Sequence, residues 1–236
     1  MLVAAAVCPC PPLIVPELAA GAAAELDELR AACDSALRAV VGAAPELIVV
    51  VGPGDGHRRY RQCSTGGFRP YGVDLRVRLG QGPADEESAD GELPPSLAVG
   101  AWLLERAGWS GPVEGLTVPD YLDRALCREN GLQLAESAAR VGLLVLGEGS
   151  ARRSLKAPGY LDDRAEEFDR GVARGLASAD AEGGLALLDD ELAFELMASG
   201  RAPWQVLAAA AGPGRSAELL YDAAPYGVGY FVAAWA

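Results

Sequence analysis

The chain has 236 residues, of which half are apolar and 22% are charged, so its composition is that of a globular protein and excludes disordered and fibrous classes. Acidic residues outnumber Lys and Arg by 33 to 20, which gives a formal net charge of −13. Nucleic acid is therefore not an expected partner, because phosphate backbones bind through Lys and Arg, although a local basic patch is not excluded by this balance.

The five cysteines are odd in number and spread from Cys8 to Cys127. A secreted domain held by disulfides would be shorter and richer in Cys, so we expect a reducing, cytoplasmic compartment. The apolar start has no basic segment before it and is followed at once by Pro9, which disfavours a signal peptide. No stretch reaches the roughly 18–20 apolar residues that span a bilayer, so we expect no membrane partner.

The first fifty residues predict a strand, a helix and a second strand. Residues 2–7 form an apolar run ended by prolines, which is typical of a buried strand. Apolar residues at spacings of three and four over residues 17–41 predict an amphipathic helix. Residues 47–51 predict another buried strand, and the three elements together form a βαβ unit with parallel strands.

The rest of the chain continues the alternation of strands and helices. Residues 52–71 predict a long loop, and residues 80–92 predict an acidic surface loop. Between them, residues 73–79 predict a strand with one buried and one solvent-exposed face. Further helices are predicted at 94–107, 121–140, 164–177, 189–199 and 203–211, and further strands at 113–118, 141–146, 218–221 and 227–233. We therefore predict a single α/β domain, residues 1–236, with a mainly parallel central sheet covered by helices on both faces.

Ligands of open α/β sheets bind beyond the carboxyl ends of the strands, so three segments deserve comparison with known motifs: 8–12, 52–57 and 147–153. Residues 52–56 superficially resemble a dinucleotide loop, but the glycine spacing is wrong and Pro53 lacks an amide, so a turn is expected. Ser150 follows a strand as a hydrolase nucleophile does, but Glu148 and Arg152 replace the glycines of that motif.

Three further residues are candidate metal or redox groups. Cys8 and Cys10 flank one proline, so both sulfurs can lie on one side of the chain, and a redox or zinc role is one hypothesis. Small, partly buried residues are the commoner explanation. His57 is the only imidazole, and it is either a surface residue or, beside a carboxylate and a Cys, a metal ligand.

Four segments carry a family resemblance that spans nearly the whole chain: residues 7–17, residues 47–56, residues 143–153 with 159–162, and residues 194–202 with 225–231. They resemble the catalytic subunit of class III extradiol dioxygenases, a LigB-like and Memo-like family, and look most similar to an actinobacterial branch of it. The resemblance implies the fold of the extradiol dioxygenase B subunit. It also implies an Fe(II) held by two His and one Glu, with open positions for a catecholate and O₂, and a further acid/base His.

Matched residue by residue, the family's first His ligand falls on Cys10 and its carboxylate ligand on Glu195. The second His ligand falls near Gly54, with His57 three residues further on. The acid/base position falls on Arg152, beside Ser150. The resemblance therefore implies a changed site, in which a thiolate would alter the charge and potential of a metal, and Arg152 would not exchange protons at neutral pH.

Two functional hypotheses follow from these matches, besides the redox or zinc role of Cys8 and Cys10. The first is a fold relative without ring cleavage, which keeps its cleft for a small or anionic ligand, or for a partner, and in which Arg152 holds an anion bidentately. The alternative is a dioxygenase or other metalloenzyme that binds Fe(II) or another divalent metal through Cys10, His57 and Glu195.

Overall fold

The computed structural model describes residues 1–82, 91–180 and 183–236, so most of the predicted acidic loop at 80–92 lies outside the described residues. Within these ranges the strands are β1 (Leu2–Cys8), β2 (Leu47–Pro53), β3 (Arg58–Tyr60), β4 (Thr65–Gly67), β5 (Arg76–Arg78), β6 (Val113–Val118), β7 (Val141–Leu146), β8 (Ala217–Ala223) and β9 (Tyr230–Trp235). The α-helices are α1 (Pro16–Ala19), α2 (Asp27–Gly42), α3 (Pro95–Arg106), α4 (Arg124–Ala135), α5 (Ala165–Ser178), α6 (Asp190–Glu195) and α7 (Arg201–Ala211). No helix in these ranges is long and apolar enough to cross a membrane.

The central sheet has seven strands in the order β3-β6-β2-β7-β1-β9-β8. The four middle strands, β6, β2, β7 and β1, are parallel, whereas β3 at one edge and β9 and β8 at the other are antiparallel to their neighbours. The predicted α/β class is confirmed, but the sheet is mixed, with a parallel centre and antiparallel edges. The connection from β8 to β9 is too short for the crossover that a parallel pair needs, so these two strands form a hairpin.

Helices cover both faces of the sheet, as predicted. Side chains alternate along each strand, so Val49 and Val51 pack on one face with α4, α5 and α7, while Ile48 and Val50 pack on the other with α2 and α3. The central strands are buried on both faces, which explains why their sequences are continuous apolar runs instead of alternating ones.

Several predicted elements have other bounds in the structure: the helix predicted at 189–199 ends at Glu195, and the strand predicted at 227–233 is Tyr230–Trp235. Two further elements differ more. The helix predicted at 17–41 is interrupted at Ala20, whose φ of 46° is left-handed, and a 3₁₀ segment (Ala20–Leu26) precedes α2. The strand predicted at 73–79 is only β5, which pairs with β4 in a separate two-stranded sheet. The predicted alternation of buried and exposed side chains is present in β5, because Val77 is buried between two exposed arginines.

Candidate functional site

The parallel strands β1, β2, β6 and β7 end at the same edge of the sheet, and the loops that follow them open into one cleft. The cleft has a volume of about 860 Å³, which is in the range of small-molecule sites. Cys10, Gly54, Asp120 and Glu148 line it, one from each of these loops. The segment from α6 into α7 forms the facing wall, so the position agrees with the general rule for ligand sites in α/β sheets.

Glu148, which directly follows the Gly147 at the end of β7, organises the floor of the cleft. Its Oε1 accepts a hydrogen bond from the Cys10 backbone amide at 2.8 Å, and its Oε2 accepts one from the Ser199 hydroxyl at 2.6 Å. Burial raises the pKa of the Cys10 thiol well above its ordinary value, and the nearby Glu148 carboxylate raises it further. The thiol is therefore protonated at neutral pH and is a poor nucleophile and a poor metal ligand.

Arg152 lines the same cleft, and its guanidinium is fixed on one side only. Its Nη1 donates to the Gly159 carbonyl at 2.6 Å. Its Nε is buried and, among the described residues, has no hydrogen-bond partner. A buried donor without a partner is uncommon in folded proteins and calls for an explanation such as a missing ligand. The Nε and Nη2 groups form the edge of the guanidinium that binds carboxylates in a fork.

Ser150 does not line the cleft. Its side chain is fully buried, its backbone amide donates to Asp169 Oδ1 at 2.8 Å, and its hydroxyl donates to the Leu196 carbonyl at 3.1 Å. Asp169 also accepts a hydrogen bond from Arg153 Nη1 at 2.8 Å. Ser150, expected at or beside the acid/base position of the family, instead ties loops together: its backbone amide ties the loop after β7 to α5, and its hydroxyl ties the same loop to the α6–α7 segment.

The predicted metal ligands Cys10, His57 and Glu195 do not come together. Cys10 and Glu195 line the cleft, but Glu195 Oε2 is paired with Arg164 Nη1 at 2.6 Å. His57 is exposed, is not part of the cleft, and its Nε2 lies 2.9 Å from Asn130 Oδ1 on α4. Across residues 1–82, 91–180 and 183–236, no three His, Cys, Asp or Glu side chains form a group that would hold a metal.

The course of β3 explains the position of His57. The strand begins at Arg58 and pairs antiparallel with β6, at the sheet edge away from β1. The chain therefore turns away from Cys10 directly after the loop that follows β2. The residues present do not fit an Fe(II) centre of two His and one carboxylate, which needs more imidazoles than this chain has.

Cys8 is the last residue of β1, and Cys10 lies two residues further on, in the loop that follows. Cys8 is fully buried beneath α2, where a hydrogen bond with Cys33 and burial raise its pKa, whereas Cys10 lies in the cleft. All five cysteines are free thiols. Neither thiol is readily accessible in the folded protein, since Cys8 is fully buried and Cys10 is 6% exposed, which disfavours a redox role.

The backbone of the facing wall lies directly against the end of β7. A Cβ atom at Gly147 would lie 2.4 Å from Gly200 Cα, and the Gly200 amide donates to the Glu148 carbonyl at 2.8 Å. Only glycine permits this approach at position 147. The floor and the wall of the cleft are therefore joined through main-chain contact.

Sequence reasoning missed Glu148, Ser199 and Met197 as cleft residues. Glu148 had a usable signal, because a carboxylate directly beyond the carboxyl end of a central strand belongs to the ligand-binding edge. Ser199 and Met197 had none, since they reach the cleft only through the packing of the α6–α7 segment against the loop after β7.

Comparisons with known proteins show the fold alone. No family model matches the chain, and no curated protein matches it. Among solved structures, the chain is similar to the crystal structure of the uncharacterized protein JW3007 from Escherichia coli K12, with a TM-score of 0.56 and 14% sequence identity over 99% of both chains.

Proposed function

We propose that this protein is a small-molecule-binding relative of class III extradiol dioxygenases that does not cleave aromatic rings. Its cleft takes a small monoanion, whose carboxylate binds the guanidinium of Arg152. The observation that carries the proposal is the position of this arginine, which lines the cleft and has one nitrogen, Nη1, fixed on the Gly159 carbonyl.

The absence of ring cleavage is argued from the donor groups of the site. A non-haem iron centre of this kind uses two imidazoles, whereas the residues that line the cleft include the Cys10 thiol, no imidazole in the described part of the chain, and carboxylates of which Glu148 and Glu195 are already engaged by other residues. A general acid/base is also missing at the matched position, because a guanidinium does not exchange protons at neutral pH.

The charges that line the cleft disfavour a ligand with more than one negative charge. Among the described residues, four carboxylates line the cleft, from Asp55, Asp120, Glu148 and Glu195, against the two guanidiniums of Arg152 and Arg201. Arg201 is buried, and its Nη1 is engaged by the Leu122 carbonyl and by Gln205. Arg152 thus attracts one carboxylate, while the surrounding acids repel a multiply charged anion such as phosphate.

Apolar side chains at the rim provide contact for the body of the ligand. Tyr121, Phe194 and Met197 are 72%, 65% and 48% exposed, and all three line the cleft. Small-molecule sites combine apolar walls with a few placed polar groups, which is the arrangement seen here. A compact carboxylate with an apolar body therefore matches the site better than a bare carboxylate.

The proposal is tested by titrating the protein with benzoate, benzamide and inorganic phosphate, following calorimetric heats and the thermal unfolding midpoint. We expect benzoate to bind and to raise the midpoint, because a ligand that binds only the folded state stabilises it. Benzamide has the same shape without the charge, and neither it nor phosphate should bind.

Substitutions of Arg152 test the same contact. Arg152→Gln should abolish benzoate binding, whereas Arg152→Lys should weaken it, because lysine keeps the charge but lacks the planar guanidinium. Equal binding of benzoate by wild type and Arg152→Gln would overturn the proposal.

A further inference from the structure

Met197 occupies a backbone position that normally holds glycine. The helix α6 ends at Glu195, and two hydrogen bonds close its end: the Met197 amide donates to the Phe194 carbonyl at 3.0 Å and the Ala198 amide donates to the Ala193 carbonyl at 2.8 Å. This pair of bonds is the Schellman motif, in which the residue at the Met197 position adopts a left-handed conformation. Met197 has a φ of 56°, which is unfavourable for any residue with a Cβ.

The side chain at this position lies beside Arg152. A Cβ atom at Gly159 would lie 2.7 Å from both Met197 Sδ and Arg152 Cγ. The Met197 thioether and the aliphatic part of the Arg152 side chain therefore both pack against Gly159. Gly159 is also the residue whose carbonyl fixes Arg152 Nη1. Met197 lines the cleft and remains about half-exposed, so one part of the side chain covers Arg152 and another part faces the ligand space.

From this geometry we infer that Met197 is a specificity-determining residue of the cleft. Its side chain shields the guanidinium of Arg152 from water and contacts the apolar body of the bound monoanion. The inference rests on the proposed function and concerns the same site. It states that the site prefers carboxylates with an apolar body to bare carboxylates. Shielding strengthens the ion pair, because charges attract more strongly where water is excluded.

The left-handed backbone alone does not indicate this role, because Ala44 and Ala179 adopt a similar φ at the ends of α2 and α5. The polarizable, flexible thioether adapts to ligands of irregular shape, which is a common use of methionine at binding surfaces.

Three substitutions separate the side chain from the backbone. Met197→Gly removes the side chain and relieves the unfavourable φ, Met197→Ala removes the side chain and keeps the unfavourable φ, and Met197→Leu keeps an apolar side chain of similar volume. Each variant is titrated with benzoate and with acetate by calorimetry, and its thermal midpoint is measured without ligand.

We expect Met197→Gly and Met197→Ala to weaken benzoate binding roughly tenfold, because apolar contact area is lost, with acetate binding changed much less. Met197→Leu should keep the benzoate preference of the wild type. The midpoint of Met197→Gly should exceed that of Met197→Ala by about 2–4 °C, which corresponds to relief of the left-handed strain in a chain of this size.

The outcomes distinguish the inference from the proposed function. If the wild type binds benzoate through Arg152 but Met197→Ala keeps the same ratio of benzoate to acetate affinity, only the inference about Met197 is overturned. If Met197→Gly is no more stable than Met197→Ala, the strain argument is overturned as well. If the wild type binds neither carboxylate, the proposed function is overturned and the inference falls with it.

Discussion

Glu148 and Cys10 join the ends of two neighbouring parallel strands, since Glu148 Oε1 accepts the Cys10 amide at 2.8 Å. The residues belong to the loops after β7 and β1, which pair in register from Ala5 with Leu143 to Cys8 with Leu146. The ladder continues one step further, because the Gly147 amide donates to the Cys8 carbonyl at 3.2 Å. The carboxylate thus extends the pairing of the strands into the loops and fixes the floor of the cleft.

Removal of this carboxylate should destabilise the protein. In Glu148→Ala the largely buried Cys10 amide loses its acceptor, which costs about 1–3 kcal/mol of unfolding free energy. The control Ser199→Ala removes the hydroxyl that donates to the same carboxylate and accepts the Glu148 amide at 3.1 Å, but it keeps the acceptor of the Cys10 amide, so we expect a smaller loss, about 0.5–1.5 kcal/mol. Urea unfolding measures both values. A Glu148→Ala variant as stable as Ser199→Ala would contradict the structural role of the carboxylate.

The thiol of Cys10 should react slowly although it lies in the cleft. Burial and the Glu148 carboxylate raise its pKa, so little thiolate is present near neutral pH. We expect slow alkylation by iodoacetamide in the native protein, followed by mass spectrometry of the Cys10 peptide, and faster alkylation in Glu148→Gln, which removes the negative charge. Denatured protein serves as the reference rate. Faster alkylation in the native than in the denatured protein would show that the thiol is activated.

Protein purified without oxygen should contain less than one equivalent of iron, and addition of Fe(II) and catechol should give no robust oxygen uptake. The reason is the separation of His57 from Cys10 and Glu195, together with the ion pair between Glu195 and Arg164. Glu195→Ala should leave the metal content unchanged and change the unfolding midpoint little, because this ion pair is about half exposed. Stoichiometric iron in the wild type that is lost in Glu195→Ala would restore the metalloenzyme hypothesis.

Asp169 should give the stability of the protein a specific pH dependence. Burial raises its pKa above the ordinary value of 3.8, although the Ser150 amide and Arg153 act in the opposite direction. A raised native pKa means that the folded protein holds more protons than the unfolded chain from about pH 4 up to that native pKa, so the contribution of Asp169 to stability falls as pH rises through this window.

The variant Asp169→Asn tests the direction of this pH dependence. The difference in unfolding free energy between wild type and this variant should decrease as pH rises from about 4 and become constant above the native pKa of Asp169. Denaturant titrations at a series of pH values measure it. Asp222, whose pKa burial also raises, is present in both proteins and largely cancels. A difference that grows with pH in this window would show that the ion pair with Arg153 dominates over burial.

The central fold could be predicted because the sequences of β1, β2 and β7 are largely continuous apolar runs, which are typical of strands buried on both faces. The predicted bounds 113–118 and 141–146 agree with β6 and β7. Elements that depend on distant partners were not predictable. The strand β3 has no apolar run of its own and exists through its pairing with β6. The helix predicted from residue 121 begins only at Arg124, since the Asp123 side chain caps it by accepting a hydrogen bond from the Leu126 amide.

The position of the candidate site in the fold could be predicted better than the residues that line it. The general rule for α/β sheets predicted a site beyond the carboxyl ends of the strands, and Cys10, Arg152 and Glu195, which the family resemblance selected, all line the cleft found there. The resemblance gave no information on the direction of His57 or on the burial of Ser150, because both depend on how the loops pack. The importance of Glu148 lies in its hydrogen bonds to Cys10 and Ser199, and a single sequence does not show such contacts.

The contact between Gly147 and Gly200 limits how this cleft can diversify. Because the two main chains touch, a larger residue at position 147 would drive the loop after β7 away from the turn between α6 and α7. The width of the cavity at its base is therefore set by the polypeptide itself. New ligand preferences in proteins descended from this one would have to arise by exchanging the side chains that project above that contact, such as those at positions 152 and 197.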